Sequence, residues 1–332
     1  MKISIAMCTY NGSRFLEEQL QSIRAQTMQP FELIICDDGS TDATEQIVEA
    51  FRASVSFPVH FSKNTINLGS TRNFEQAICL CKGDAIALCD QDDRWFPEKL
   101  STMSAVLEME PEVAGVFSNA RIMDENGVFL ELEREHEDTL WHRAGFTPER
   151  QRSFRKHEAP FQLISRDTVT GAAFLFRARY VEHLIPFSED WIHDGWIAFL
   201  LASLAELRPL PACLMSYRVH VHQQVGARQI PWYTHLSTQK QAALASHRLL
   251  AQRLSSMADK LDTFAPDRFA VDQFAVDPGI AVALRRKVTF LERRTAILGR
   301  SRSSRVLPVT QLLPDYIRYQ RGIMSLLRDL FH

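Results

Sequence analysis

The chain has 332 residues, 45% of them hydrophobic and 23% charged, with a formal net charge of −2. That is enough apolar sequence to bury a full core, which excludes a disordered chain, and the near-neutral charge gives no general attraction to nucleic acid. No window approaches the roughly 18 uninterrupted apolar residues of a membrane-spanning helix, and the first residues lack the apolar core and cleavage site of a secretory leader, so a cytoplasmic protein is expected.

Residues 2–8 form an apolar strand that runs into the polar turn Thr9-Tyr10-Asn11-Gly12. A helix is expected over 13–27, with Phe15, Leu16, Leu20 and Ile23 at helical spacing and Ser13 as its N-cap. Residues 31–36 read as a second strand, ending in Asp37-Asp38-Gly39-Ser40-Thr41-Asp42, and a helix follows over 41–52. A short strand over 59–62 and a helix over 70–81 come next. The apolar run 85–89 is a buried strand, followed directly by Asp90-Gln91-Asp92-Asp93. A helix over 97–109 and a strand over 113–123 close this half.

Repeated units of strand, polar loop and helix predict an α/β fold with a mainly parallel sheet, whose ligands bind at the carboxyl ends of the strands. The three polar clusters therefore gather on one edge. Three carboxylates in four positions repel one another and cost desolvation energy, so a divalent cation carrying a phosphorylated ligand is the natural occupant.

From 124 to 167 the pattern weakens into a charged stretch, read either as a solvated loop or helix face or as a mobile acceptor-site flap. Residues 168–176 are again strand-like, 193–206 helical, 214–220 strand-like and 234–261 helical. Pro266, Pro278 and Gly279 mark a linker before the C-terminal segment. The six cysteines show no zinc-type spacing and no disulfide framework, so reduced thiols are expected, with Cys8, Cys36 and Cys89 buried in strands.

Several of these motifs, taken in order, resemble the inverting family 2 glycosyltransferases of GT-A fold, and among them the bacterial rhamnosyltransferase-type enzymes of surface polysaccharide synthesis. They are Cys8 to Gly12, Asp37 to Asp42, Asn67-Leu68-Gly69 with Arg72-Asn73, Cys89 to Trp95, Thr170-Gly171-Ala172 and His193-Asp194-Gly195-Trp196. The resemblance implies a GT-A domain over 1–225, with a nucleotide-sugar half (1–123) and an acceptor half (124–225), followed by a mainly helical extension over 226–332. It also implies a UDP- or dTDP-sugar donor, with rhamnose the best guess, Mg2+ or Mn2+ as cofactor, and a glycan acceptor carried on a lipid.

Residue by residue, the resemblance assigns base and ribose contacts to Thr9, Tyr10, Asn11 and Asp38. Tyr10 can pack on a pyrimidine face, and the Asp38 carboxylate can accept its imide N–H. Asp92 is the first choice for the metal, with Asp90 supporting it or reaching the ribose, and Asp93 sharing the ion. Arg72 is matched to phosphate or base. Asp194 matches the carboxylate that deprotonates the acceptor hydroxyl, and Thr170, Gly171 and Trp196 are placed with the acceptor. In the late motif running from Tyr217 to Gln224, Arg218 is expected near the diphosphate and His220 or His222 near the metal or phosphates. The structural alternative for Asp37 and Asp38 is a turn and helix cap.

Eight Lys or Arg residues and the single acid Glu292 lie between Arg285 and Arg305. Further on, Tyr316, Tyr319, Ile323, Leu327 and Leu330 share a helical face, with Arg318, Arg321 and Arg328 largely opposite. This segment either lies on an anionic membrane surface or packs on the catalytic domain, and a lipid-linked acceptor favours peripheral contact at the inner face of the cell membrane. The competing functions are a UDP-hexose enzyme, a non-catalytic nucleotide-sugar-binding protein and a dinucleotide oxidoreductase. The last is disfavoured because no G-x-G-x-x-G follows the first strand.

Overall fold

The computed structural model describes residues 1–132, 136–154, 158–165, 168–221, 223, 239–264, 276–299 and 304–319. It contains the strands β1 (Ile3–Thr9), β2 (Glu32–Asp37), β3 (Val59–Lys63), β4 (Ala85–Cys89), β5 (Arg94–Trp95), β6 (Val113–Met123), β7 (Glu131–Leu132), β8 (His136–Glu137), β9 (Phe174–Arg177) and β10 (Glu206–Arg218). The helices are α1 (Leu16–Arg24), α2 (Thr44–Arg52), α3 (Ser70–Leu80), α4 (Lys99–Met109), α5 (Leu140–Ala144), α6 (Pro148–Ser153), α7 (Ala159–Ser165), α8 (Val181–Leu184), α9 (His193–Leu204), α10 (Gln239–Asp262), α11 (Pro278–Leu298), α12 (Val306–Gln311) and α13 (Leu313–Tyr319).

Eight strands form one sheet in the order β3-β2-β1-β4-β9-β6-β10-β5, and β7 and β8 make a separate hairpin. β1 to β4 are parallel; β1, β2 and β4 are continuously buried runs of the kind a sheet covered on both faces produces, while the edge strand β3 is largely open. β9 inserts antiparallel between β4 and β6, β10 runs parallel to β6, and β5 closes the edge antiparallel to β10. On one face Ile5, Met7, Leu33, Ile35 and Ala87 share a core with Leu16, Leu20 and Ile23 of α1, Val48 of α2 and Leu100 and Met103 of α4. Ala6 and Ile34 point the other way by strand alternation and stay outside that core, where α3 packs against β1 and β2. Each fully buried Leu or Ile here contributes about 1.5–3 kcal/mol.

The chain divides into two compact units, one of Met1–Ala159 with Asp167–Arg228, the other of Pro160–Arg166 with Gln229–His332. In the second, Tyr316 packs edge-on against Phe290 of α11 at 5.3 Å and Tyr319 lies 5.7 Å from the same ring, while Ile317 is exposed. The expected C-terminal helix is described only to Tyr319. Ile323, Leu327, Leu330, Arg321 and Arg328, the side chain of Arg318, Arg300 and Arg302 of the basic run, residues 234–238 and Pro266 lie outside the described residues.

Three expectations need correction. Ser13 does not cap α1: the helix begins at Leu16 without a side-chain cap, and the Ser13 amide donates to Asp42 instead. The run 168–176 is not one strand, because Gly171–Ala173 forms a 3-10 turn before β9. The last strand starts at Glu206, eight residues earlier than its apolar pattern suggests, with register shifts after Glu206, between Leu210 and Cys213 where Pro211 interrupts, and between Cys213 and Ser216. The charged stretch after Asp124 contains the β7–β8 hairpin and the short helices α5 to α7.

Candidate active site

Parallel register sets the carboxyl ends of three strands side by side: Thr9 pairs with Asp37, and Met7 with Cys89. Thr9 Oγ1 donates to Asp37 Oδ2 at 2.7 Å, and Asp37 also accepts the Ser40 amide and hydroxyl, so this buried carboxylate closes its own turn. Asp38 accepts the amides of Leu68 at 2.7 Å and Gly69 at 2.9 Å and the Asn64 side chain at 3.0 Å. Gly69 has φ of +78°, the left-handed region that suits glycine. Asn11 also has positive φ, and its Oδ1 accepts the Thr41 amide. Gln91 clamps the first loop from both sides, accepting the Tyr10 amide at 2.9 Å and donating to the Tyr10 carbonyl at 3.1 Å. A Cβ at Gly12 would stand 2.2 Å from Gln91 Oε1, so the clamp requires glycine there.

These loops frame a cavity of about 200 Å3 lined by Thr9, Tyr10, Asp38, Asp90, Asp92, Thr170, His193, Asp194, Tyr217 and His220, among others. Asp90 stands on its floor. Burial, then Asp92, then Asp194 push its carboxyl up to about 7. Asp92 Oδ2 lies 2.8 Å from His220 Nε2, and the His220 ring rests 5.0 Å from Phe15. Asp93 turns inward, is 1% exposed, and accepts the Arg218 amide at 2.9 Å; burial, then Asp92 and Asp90, hold its carboxyl well above the usual range.

Among the described residues no three metal-capable side chains converge. A Mg2+-type site ordinarily takes one or two carboxylates, the remaining positions going to water and substrate phosphate. Asp90 and Asp92, two acids forced together with an imidazole beside them, fit that demand. A divalent ion bound there would neutralise charge on a departing diphosphate.

Asp194 sits in the first turn of α9. Its Oδ2 accepts the Gly171 amide at 2.9 Å and its Oδ1 the Gly195 amide at 2.7 Å. A Cβ at Gly171 would lie 3.1 Å from Asp194 Cβ and 3.0 Å from His193 Nε2, which explains a glycine at that step of the turn. His193 is buried and stacks on Phe74 at 3.8 Å, and burial holds its imidazole below the usual range. Beneath the floor, Lys99 is buried with its ammonium on the Ala172 carbonyl, and burial pushes it down to about 7.

The model of the family described as "Glycosyl transferase family 2" matches residues 4–185, more than half of the chain, and includes the cavity residues from Cys8 to Thr170. The chain belongs to glycosyl transferase family 2. Among its relatives, the abequosyltransferase RfbV of Salmonella typhimurium is 33% identical over 115 residues, 34% of either chain, so the match spans about a third of RfbV's length. Residues 1–349 of S. aureus TarS superpose with a TM-score of 0.56 at 14% identity, covering 99% of this chain and 89% of that one. The mannosyltransferase PcManGT of Pyrobaculum calidifontis, in complex with GDP-Man and Mn2+, gives 0.52 at 17% identity, covering 99% and 84%. The curled, mostly parallel sheet flanked by helices is thus a GT-A fold.

Within this member of family 2 the predicted site residues fall into two groups. Thr9, Tyr10, Asp38, Asp90, Asp92, Thr170, Asp194 and His220 line the cavity. Asn11, Arg72, Asp93, Gly171, Trp196 and Arg218 do not. Arg218 is the plainest correction: it is 1% exposed, with Nε on the Asp92 carbonyl at 2.7 Å, Nη1 near the Asp124 and Glu125 carbonyls, an ion pair to Glu18 and a stack on Phe15. Its donors hold the acidic loop from behind, so it is not placed to meet a diphosphate. Arg72 is engaged by Glu75 at 2.7 Å and Glu189 at 3.1 Å. Trp196 is buried with its indole N–H on the Leu184 carbonyl. His222 and Gln224 lie outside the described residues. Gln91, Lys99 and Tyr217 were not anticipated, although Gln91 stands within the acidic motif and Lys99 only four residues after Trp95.

Proposed function

We propose that this chain is a metal-dependent inverting glycosyltransferase that moves a sugar from a UDP- or dTDP-linked donor to an acceptor hydroxyl. One observation carries the reading: the Asp194 carboxylate, fixed by two backbone amides, faces the same cavity as the Asp90 and Asp92 pair. In the transfer, Asp194 takes the proton of the acceptor hydroxyl. The freed oxygen bonds to the anomeric carbon, and the bond from that carbon to the diphosphate breaks on the opposite face. Tyr10, 44% exposed at the cavity rim, offers a ring face to the base, while Asp38 is committed to the Leu68 and Gly69 amides and shapes the pocket wall. Asp90 and Asp92, with His220 on Asp92, would hold Mg2+ or Mn2+, which would supply countercharge for the diphosphate.

Rhamnose is the donor sugar we assign first, and a lipid-linked glycan of surface polysaccharide or O-antigen synthesis the acceptor. An abequosyltransferase among the relatives supports the transfer of a sugar. No helix among the described residues is long and apolar enough to cross a membrane, and the exposed Arg286 and Arg293 of α11 suit peripheral contact with anionic lipid at the inner face.

Calorimetric titration with UDP, dTDP, GDP and NAD, with and without Mn2+, tests the reading on the full chain and on Asp92→Ala. Metal-dependent binding of UDP or dTDP, lost in the variant, is expected. Binding of NAD, or nucleotide binding indifferent to metal and to Asp92, would overturn it. Turnover of dTDP-rhamnose against UDP-hexoses then decides the sugar.

A further inference from the structure

Lys99 opens α4 and is 1% exposed, and among the described residues no carboxylate lies within 4 Å of it. Its Nζ donates to the Ala172 carbonyl, lies 3.5 Å from Met215 Sδ and stands 3.8 Å over the Trp95 ring. A buried ammonium without an ion pair is costly, and a leucine or methionine would fill the same apolar surroundings without that cost. Packing alone therefore does not account for a lysine here.

What it holds does. Ala172 is the middle residue of the Gly171–Ala173 turn, which the Ala173 amide closes on the Thr170 carbonyl at 3.0 Å. The first residue of that turn gives its amide to Asp194 Oδ2. There is little slack in the link, since even a methyl group at Gly171 would crowd Asp194 Cβ and His193 Nε2. Displacement of the turn is thus passed to the Asp194 carboxylate.

We propose that Lys99 is a positioning residue for sugar transfer: its ammonium pins the Gly171–Ala173 turn from below and so fixes Asp194 relative to Asp90. This rests on Asp194 being the base, as inferred above, and the test separates the two ideas. Amide hydrogen exchange by mass spectrometry on the full-length Lys99→Met protein reads the peptide spanning 168–176 directly. Exchange in that peptide is expected to rise at least about tenfold, with β1 and β6 still protected and the Kd of UDP with Mn2+ within about twofold of wild type. With an active donor, kcat falls roughly 10- to 100-fold while the donor KM stays within about threefold, because misplacing a catalytic group by a fraction of an ångström acts on the chemical step. Lys99→Gln, polar but one bond too short to reach the carbonyl, is expected to behave alike and is read alone if the methionine variant shows no cooperative melt. Unchanged exchange at 168–176 overturns the positioning role whether or not the wild type transfers sugar. A wild type that binds nucleotide but never transfers overturns the base assignment and leaves the exchange result to decide Lys99.

Discussion

Replacing Asp90 by asparagine should make the metal-free protein more stable at pH 8 while removing its metal-dependent binding of nucleotide. Burial, with Asp92 and Asp194 nearby, raises the Asp90 carboxyl from 3.8 to about 7. At about 1.4 kcal/mol per pH unit the charged form would cost the fold about 4 kcal/mol. Water in the cavity still reaches this half-buried group, so we take about 2 kcal/mol as the working figure. The sign follows from linkage. Between pH 4 and 7 the folded state keeps a proton that the unfolded chain has lost, so stability falls as pH rises through that window, and the loss is complete above it. Below pH 4 both states are protonated and the penalty is absent. The assay is thermal melting of wild type and Asp90→Asn in EDTA from pH 4.5 to 8. At pH 8 the variant should melt roughly 4–8 °C higher, the gap narrowing toward pH 4.5. A variant that is less stable at pH 8, or an offset that does not change with pH, would refute the claim that Asp90 is held uncompensated.

Three further outcomes follow from the geometry. Gly12→Ala should force Gln91 off the Tyr10 backbone, because the new methyl would stand 2.2 Å from Gln91 Oε1, and titration should show UDP affinity down roughly 10-fold, the cost of about one lost hydrogen bond. Gly171→Ala should lower kcat roughly 10-fold at unchanged nucleotide Kd, since its methyl presses on Asp194 and His193 rather than on the nucleotide side; a raised Kd with normal kcat would contradict this. Arg218→Met strips partners from the buried Asp92 carbonyl and from Glu18, at about 3 kcal/mol, or a melting point lower by roughly 6–12 °C; a loss of activity without loss of stability would return Arg218 to the diphosphate.

Much of the first half was legible because β1, β2 and β4 are buried on both faces and so read as apolar runs closed by a polar turn. β4 and β6 have the limits that this pattern predicts. β9 was not legible as an inserted antiparallel strand, since its partners β4 and β6 are set by tertiary pairing and not by local sequence. The start of β10 was hidden by Arg208, Pro209 and Pro211, which read as loop although Leu207 beside them is fully buried. In the site, sequence identified the residue types better than the directions of their side chains. Asp93 and Arg218 carry the right charges for a diphosphate site, yet Asp93 binds the Arg218 amide and both face into the protein. Gln91 and Lys99 escaped for the opposite reason: a glutamine between acids and a lysine at a helix start look like surface residues, and only the fold shows one clasping Tyr10 and the other buried beneath Ala172.

The most direct test of the central claim is the single-turnover rate of donor cleavage by Asp194→Asn with Mn2+ and an acceptor, beside calorimetric binding of the same nucleotide. With Asp194 as the base, the rate should fall roughly 10^2- to 10^4-fold while the nucleotide Kd stays within about twofold. A variant that retains more than a tenth of the wild-type rate, or that loses nucleotide binding in proportion to its rate, would contradict the assignment of Asp194 as the group that activates the acceptor.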